Sequence, residues 1–132
     1  METIIKGHVY IAVDFDGTIT TERDDNFGQY KLQPYCKEVL LKLHSTGKVH
    51  FGLWTCRSNG QLEIAKNFLK EVGLYDIFET FNKSFEEVER MFDTPSSGKM
   101  SCDLYIDDRT IYGVPNWLDV LDVVMKILHE GV

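Results

Sequence analysis

Grouped basic residues are what this chain most conspicuously lacks. Lysine and arginine number 14 against 21 aspartates and glutamates, for a formal net charge of -7. General nucleic-acid binders and anionic-membrane binders hold phosphates with clustered Lys and Arg, so this balance argues against both classes. Cysteine is equally sparse. Cys36, Cys56 and Cys102 are odd in number and share no C-x-x-C spacing, which leaves no disulfide framework and no zinc site and fits a reducing cytoplasm. The four histidines are scattered. No apolar run approaches the roughly 20 residues of a membrane-spanning helix. The opening Met1-Glu2-Thr3-Ile4-Ile5-Lys6-Gly7 is too short and polar for a signal peptide. There is no repeat, low-complexity tract or linker either, so residues 1–132 are expected to form one soluble cytoplasmic domain whose 43% hydrophobic content fills a single core.

What is present alternates. A strand is predicted over His8 to Asp14, followed by a polar stretch, Gly17 to Gln33, whose Glu22, Asp24 and Asp25 suggest a solvated flap. Pro34 is placed to open a helix with Val39, Leu40 and Leu43 on one face and Gly47 at its end. Val49 to Thr55 reads as a strand. Ser58 can cap a helix in which Leu62, Ala65, Leu69 and Val72 recur at helical spacing before Gly73. A third strand lies around Ile77 to Phe81. Ser84-Phe85-Glu86-Glu87 has the spacing of a capping box, which predicts a short helix to about Phe92 with Phe85, Val88 and Phe92 apolar. The loop Asp93 to Gly98 leads to a strand ending at Asp107, and Pro115 starts a last helix with an apolar stripe from Trp117 to Leu128. Alternating strands and helices imply a parallel sheet covered on both faces. Ligands of such sheets bind beyond the carboxyl ends of the strands.

Acids stand at that edge. The run Val9-Tyr10-Ile11-Ala12-Val13 ends in Asp14-Phe15-Asp16-Gly17-Thr18, and Leu104-Tyr105-Ile106 ends in Asp107-Asp108. Four carboxylates on two strand ends suggest a divalent cation site, because hard cations prefer oxygen ligands. An EF-hand loop also begins D-x-D, but here a strand precedes it and Ile19 occupies the position that needs glycine. Two other phosphate signatures fail as well. Gly98-Lys99 lacks the earlier glycine and the following Ser or Thr of a P-loop, and Leu62 stands where a Cys-x5-Arg signature beginning at Cys56 would need arginine. Cys56 reads as a small buried hydrophobe, and Trp54 and Trp117 as core.

The chain order of Asp14-Phe15-Asp16-Gly17-Thr18, Thr55, Lys99 and Asp107-Asp108 resembles the haloacid dehalogenase superfamily of phosphotransferases, from Val9 to Asp108. The resemblance implies a three-layer Rossmann-like sheet with helices on both faces. The gaps in which that superfamily inserts a cap are too short here, so no cap domain is expected. It implies a Mg2+-dependent phosphomonoester hydrolase in which Asp14 attacks and becomes an aspartyl-phosphate. Asp16 would protonate the leaving oxygen, later deprotonate water, and bind the metal through its backbone carbonyl. Asp14, Asp107 and Asp108 would complete the metal site, with Asp108 acting directly or through water. Thr55 would bind a phosphoryl oxygen, and Lys99 would offset charge, with Lys83 as the competing lysine. Arg57 could hold a substrate anion or only a surface carboxylate.

An open site suits a bulky phosphomonoester, or a neighbouring copy of the chain acting as lid. Phosphoryl transfer to a hydroxyl other than that of water is the alternative within enzymes. A receiver-like module also collects acids, a Thr and a Lys at such an edge, but it carries its acid pair on the first strand and its phosphorylated Asp on a later one, and the D-x-D-G-T with the order Thr, Lys, Asp-Asp favours the hydrolase.

Overall fold

The computed structural model describes residues 1–21, 30–92 and 100–131, with the backbone alone at Phe92 and Gly131. Lys99, Glu22, Asp24, Asp25 and the loop 93–98 lie outside the described residues. The first strand, β1 (Val9–Val13), is apolar throughout and all five of its residues are buried, as a strand covered on both faces requires. With β2 (Val49–Leu53), β3 (Phe78–Phe81) and β4 (Leu104–Ile106) it forms an all-parallel sheet in the order β3-β2-β1-β4. Val13 pairs with Leu53 on one side and Ile106 on the other, so these three strands end at one level.

Alternation along β1 divides the core. Val9, Ile11 and Val13 join the larger cluster, with Val39, Leu40 and Leu43 of α1 (Cys36–Ser45), Ala65 and Leu69 of α2 (Asn59–Glu71), and Trp117, Val124 and Ile127 of α4 (Trp117–Gly131). Tyr10 and Ala12 join a smaller cluster with Phe85, Met100 and Val88 of α3 (Glu86–Phe92). The result is a three-layer α/β fold with three helices on one face of the sheet and α3 on the other. None of these helices is long and apolar enough to cross a membrane.

Local departures from expectation have local causes. Pro34 does not open α1: Tyr35 follows it in the left-handed region (φ 64), which no α-helix continues through, so the helix begins at Cys36. Ser58 occupies the N-cap position of α2 in extended backbone, but its side chain makes no cap hydrogen bond. The Ser84 hydroxyl accepts from the Ser101 backbone N–H at 3.2 Å, which ties the approach to α3 to the approach to β4. Pro115 precedes α4 by two residues, and Asn116 caps it, its side-chain oxygen accepting from the N–H groups of Leu118 (3.0 Å) and Asp119 (3.4 Å). The start of the expected flap is not solvated. Thr18, Ile19 and Thr20 are fully buried, and Thr20 bridges to Leu32.

Gly52, in the middle of β2, permits the close approach of the α3 layer. A Cβ there would lie 2.9 Å from Thr80 Cγ2 and 3.0 Å from both Met100 Sδ and Phe85 Cζ. Gly52→Ala is expected to destabilise by about 1–3 kcal/mol through overpacking. A denaturant midpoint equal to the parent's would contradict this.

Candidate active site

Because β1, β2 and β4 end at one level, the residues just beyond them meet. Asp14 follows β1, Thr55 follows β2 by two residues, and Asp107 and Asp108 follow β4. One carboxylate oxygen from each of Asp14, Asp107 and Asp108 lies within 4.8 Å of the other two, the only such grouping of potential metal ligands among the described residues. All three are half-buried. The donor set fits a hard divalent cation, being all oxygen, strongly anionic and carried on rigid strand ends. Burial pushes the Asp14 carboxyl up to about 7, with Asp107 the largest charged contributor and Asp108 and Asp16 adding to it; a hydrogen bond from the Phe15 backbone opposes the rise in part.

A raised carboxyl has a defined linkage. In metal-free protein its stabilisation is present below the usual value of 3.8 and is lost as pH climbs through about 7. With solvent screening allowed for, the loss is on the order of 1–2 kcal/mol. A cation that displaces the proton removes the penalty, so Mg2+ is expected to raise the melting temperature more at pH 8 than at pH 5.5. Thermal unfolding at both pH values, with and without metal, checks this; equal shifts would refute it.

Asp16 takes a different environment from its neighbour. Arg57 Nε and Nη2 donate to its two carboxylate oxygens at 2.7 and 2.8 Å, a bidentate pair. Arg57 is 7% exposed. Its guanidinium carbon lies 5.2 Å from the ring centres of both Phe15 and Tyr30, Nη2 also donates to the Tyr30 hydroxyl at 2.8 Å, and Nη1 donates to the Gln61 carbonyl at 3.1 Å. The carboxylate that Arg57 holds is thus one of the cleft itself, Asp16, which neither alternative open for Arg57 names. The Asp16 side chain stands apart from the three-carboxylate group.

The loop that holds Thr55 is fastened from β3. The Asn82 side-chain oxygen accepts from the Thr55 N–H at 2.8 Å, and its amide donates to the Arg57 carbonyl at 3.0 Å. Asn82 sits at φ 55, a region asparagine tolerates better than most side chains. Arg57 N–H donates to the Thr55 hydroxyl oxygen at 3.2 Å, so the Thr55 O–H proton can turn to a ligand. On the other side, the indole of buried Trp117 donates to the Thr18 carbonyl at 3.0 Å and supports the turn after Asp16.

Together these residues line a cleft of about 270 Å3 with Asp14, Asp16, Trp54, Thr55, Cys56, Asp107 and Arg109 on its walls. Cys56 is exposed there, not buried, because it lies beyond the end of β2 where no helix covers it. Trp54 is likewise only partly buried and walls the cleft, whereas Trp117 is core as expected. Lys83 lies elsewhere, in a larger hollow of about 630 Å3 between the end of β3 and α3 that meets the cleft only at Trp54. Asn82 and Arg109 were not foreseen. An asparagine directly after a strand was the available signal for the first, and the position of Arg109 directly after the second acid pair for the other.

No protein-family model and no curated protein matches the chain. Among solved structures, a conserved protein of Bacteroides thetaiotaomicron is 32% identical, with a TM-score of 0.72 over 90% of this chain and 91% of that one.

Proposed function

We propose that this chain, which belongs to the same family as the conserved Bacteroides thetaiotaomicron protein, is a Mg2+-dependent phosphomonoester hydrolase of the haloacid dehalogenase type. Support comes above all from one juxtaposition. The Asp14 carboxylate groups with those of Asp107 and Asp108, and Asp14 and Asp107 line the same cleft as Asp16 and Thr55.

In-line phosphoryl transfer needs a nucleophile, charge neutralisation and fixed donors around the phosphorus. Asp14 supplies the nucleophilic oxygen, at the end of a fully buried strand that fixes its direction of attack. Its bond to phosphorus forms as the bond to the leaving oxygen breaks, which gives an aspartyl-phosphate on Asp14. Asp16 handles the proton, delivering it to the leaving oxygen and then taking one from the water that hydrolyses the intermediate. Arg57 acts on Asp16 as an orienting clamp, because a planar fork holding both carboxylate oxygens leaves the group little rotational freedom. The Thr55 hydroxyl donates to a phosphoryl oxygen while Asn82 fixes the backbone beneath it. Asp14, Asp107 and Asp108 would hold the Mg2+, which would supply charge neutralisation at the phosphoryl oxygens. Lys99 is assigned the remaining ammonium.

Hydrolysis of an aryl phosphate, followed with Mg2+ and with EDTA, is the test. Turnover that requires the metal is expected. Its absence with Mg2+, Mn2+ and Co2+ alike would overturn the reading.

A further inference from the structure

One face of the molecule is built like an interface. Between the free edge of β4 and α4 runs an apolar groove of about 290 Å3, whose walls include Leu104, Ile106, Val120 and Val124. Beside it the turn 110–113 projects two apolar side chains into solvent, Ile111 at 92% exposure and Tyr112 at 89%. Val114 and Val123, both about half exposed, extend the same surface. Large apolar groups left this exposed mark a contact surface more often than a free one.

We propose that this face is the twofold interface of a homodimer, in which Ile111 and Tyr112 of each copy enter the groove between β4 and α4 of the other. A twofold contact requires one patch to carry both a protrusion and its recess. This one does: Tyr112 lies at the groove of its own chain and, with Ile111, is too exposed to fill it. Size agrees as well. The four exposed side chains offer on the order of 600 Å2 per copy, and the groove walls add to that, against the roughly 800 Å2 per partner of a standard interface. Charge is also self-complementary. Asp119 lines the groove, and Arg109, two residues before the projecting pair, lines the adjoining cleft; neither side chain is in an ion pair among the described residues. A second copy is thus the occupant best matched to this patch.

The interface reaches the candidate active site, since Asp107 lines both the groove and the carboxylate cleft. Dimerisation therefore places a neighbouring chain next to a site over which the described residues form no cap domain.

The test is sedimentation equilibrium of the wild-type chain and of an Ile111→Asp/Tyr112→Asp variant, at 5 to 200 µM. The wild type is expected at twice its 15.3 kDa. The variant is expected as a monomer with unchanged circular dichroism and melting behaviour at low concentration, because neither side chain contributes to the core. A Val123→Asp variant, altered on α4 instead of the turn, should dissociate the pair in the same way. A monomeric wild type at 200 µM, or a dimer that survives both variants, would overturn the proposal. Because the readout is mass, a failed phosphatase assay leaves it standing, and failure here leaves the phosphatase reading standing.

Discussion

Asp14→Asn is expected to lose on the order of 10^4-fold or more in phosphatase turnover and, in metal-free protein at pH 8, to unfold at a higher temperature than the parent. Both effects have one cause. Asp14 lies close to Asp107, Asp108 and Asp16 at a half-buried strand end, where its ionised form is disfavoured in metal-free protein. An amide of the same shape removes the nucleophile and the repulsion together. The gain in metal-free stability should be on the order of 1–2 kcal/mol after solvent screening, and it should shrink as pH falls and vanish below 3.8, where the carboxyl is protonated in the folded and the unfolded chain alike. Initial rates with Mg2+ and thermal unfolding in EDTA measure the two sides. A variant that loses activity and is also less stable at pH 8 would mean that the carboxylates are not in conflict as described.

The second large effect concerns folding more than chemistry. Arg57→Met should destabilise by about 3 kcal/mol or more, because removing one partner of a buried ion pair strands the other. The Asp16 side chain is about 20% exposed and that of Arg57 about 5%, so little water is available to replace the guanidinium. The Tyr30 and Gln61 contacts are lost in the same step. In a domain of this size the melting temperature should fall by roughly 10 °C. Arg57→Lys should recover only part of this, since an ammonium cannot hold both oxygens of Asp16 in one plane. A double-mutant cycle with Asp16→Asn isolates the pair; a coupling energy near zero would assign the loss to packing against Phe15 and Tyr30 instead.

The strands β1 and β4 were legible because each is an apolar run that ends sharply at an aspartate. The acid pairs were legible because they fall just past such ends, where a parallel sheet gathers whatever follows each strand. Helix bodies were readable for a similar reason, their buried positions recurring at 3.6-residue spacing. Their first turns were less so. Whether Pro34 begins a helix depends on the backbone of Tyr35, and no local signal announces that Ser84 accepts from Ser101, 17 residues away. The partner of Arg57 was hidden in the same way: Asp16 is 41 residues distant, and nothing local to either residue announces a pair formed only when β1 and β2 align. Asn82 is a further case, a side chain whose whole task is to hold another strand's loop.

The placement of β4 also bears on the order in which the chain is made. Synthesis delivers β1 and β2 early, and they can pair at once, but Asp107 and Asp108 come from a strand that joins β1 across about 93 residues. A nascent chain released only as far as α3 holds Asp14, Asp16 and Thr55 without the other two carboxylates of the site. On the proposed function, a divalent ion would meet the complete set of carboxylates only once the last strand docks, so that metal binding would report a finished sheet.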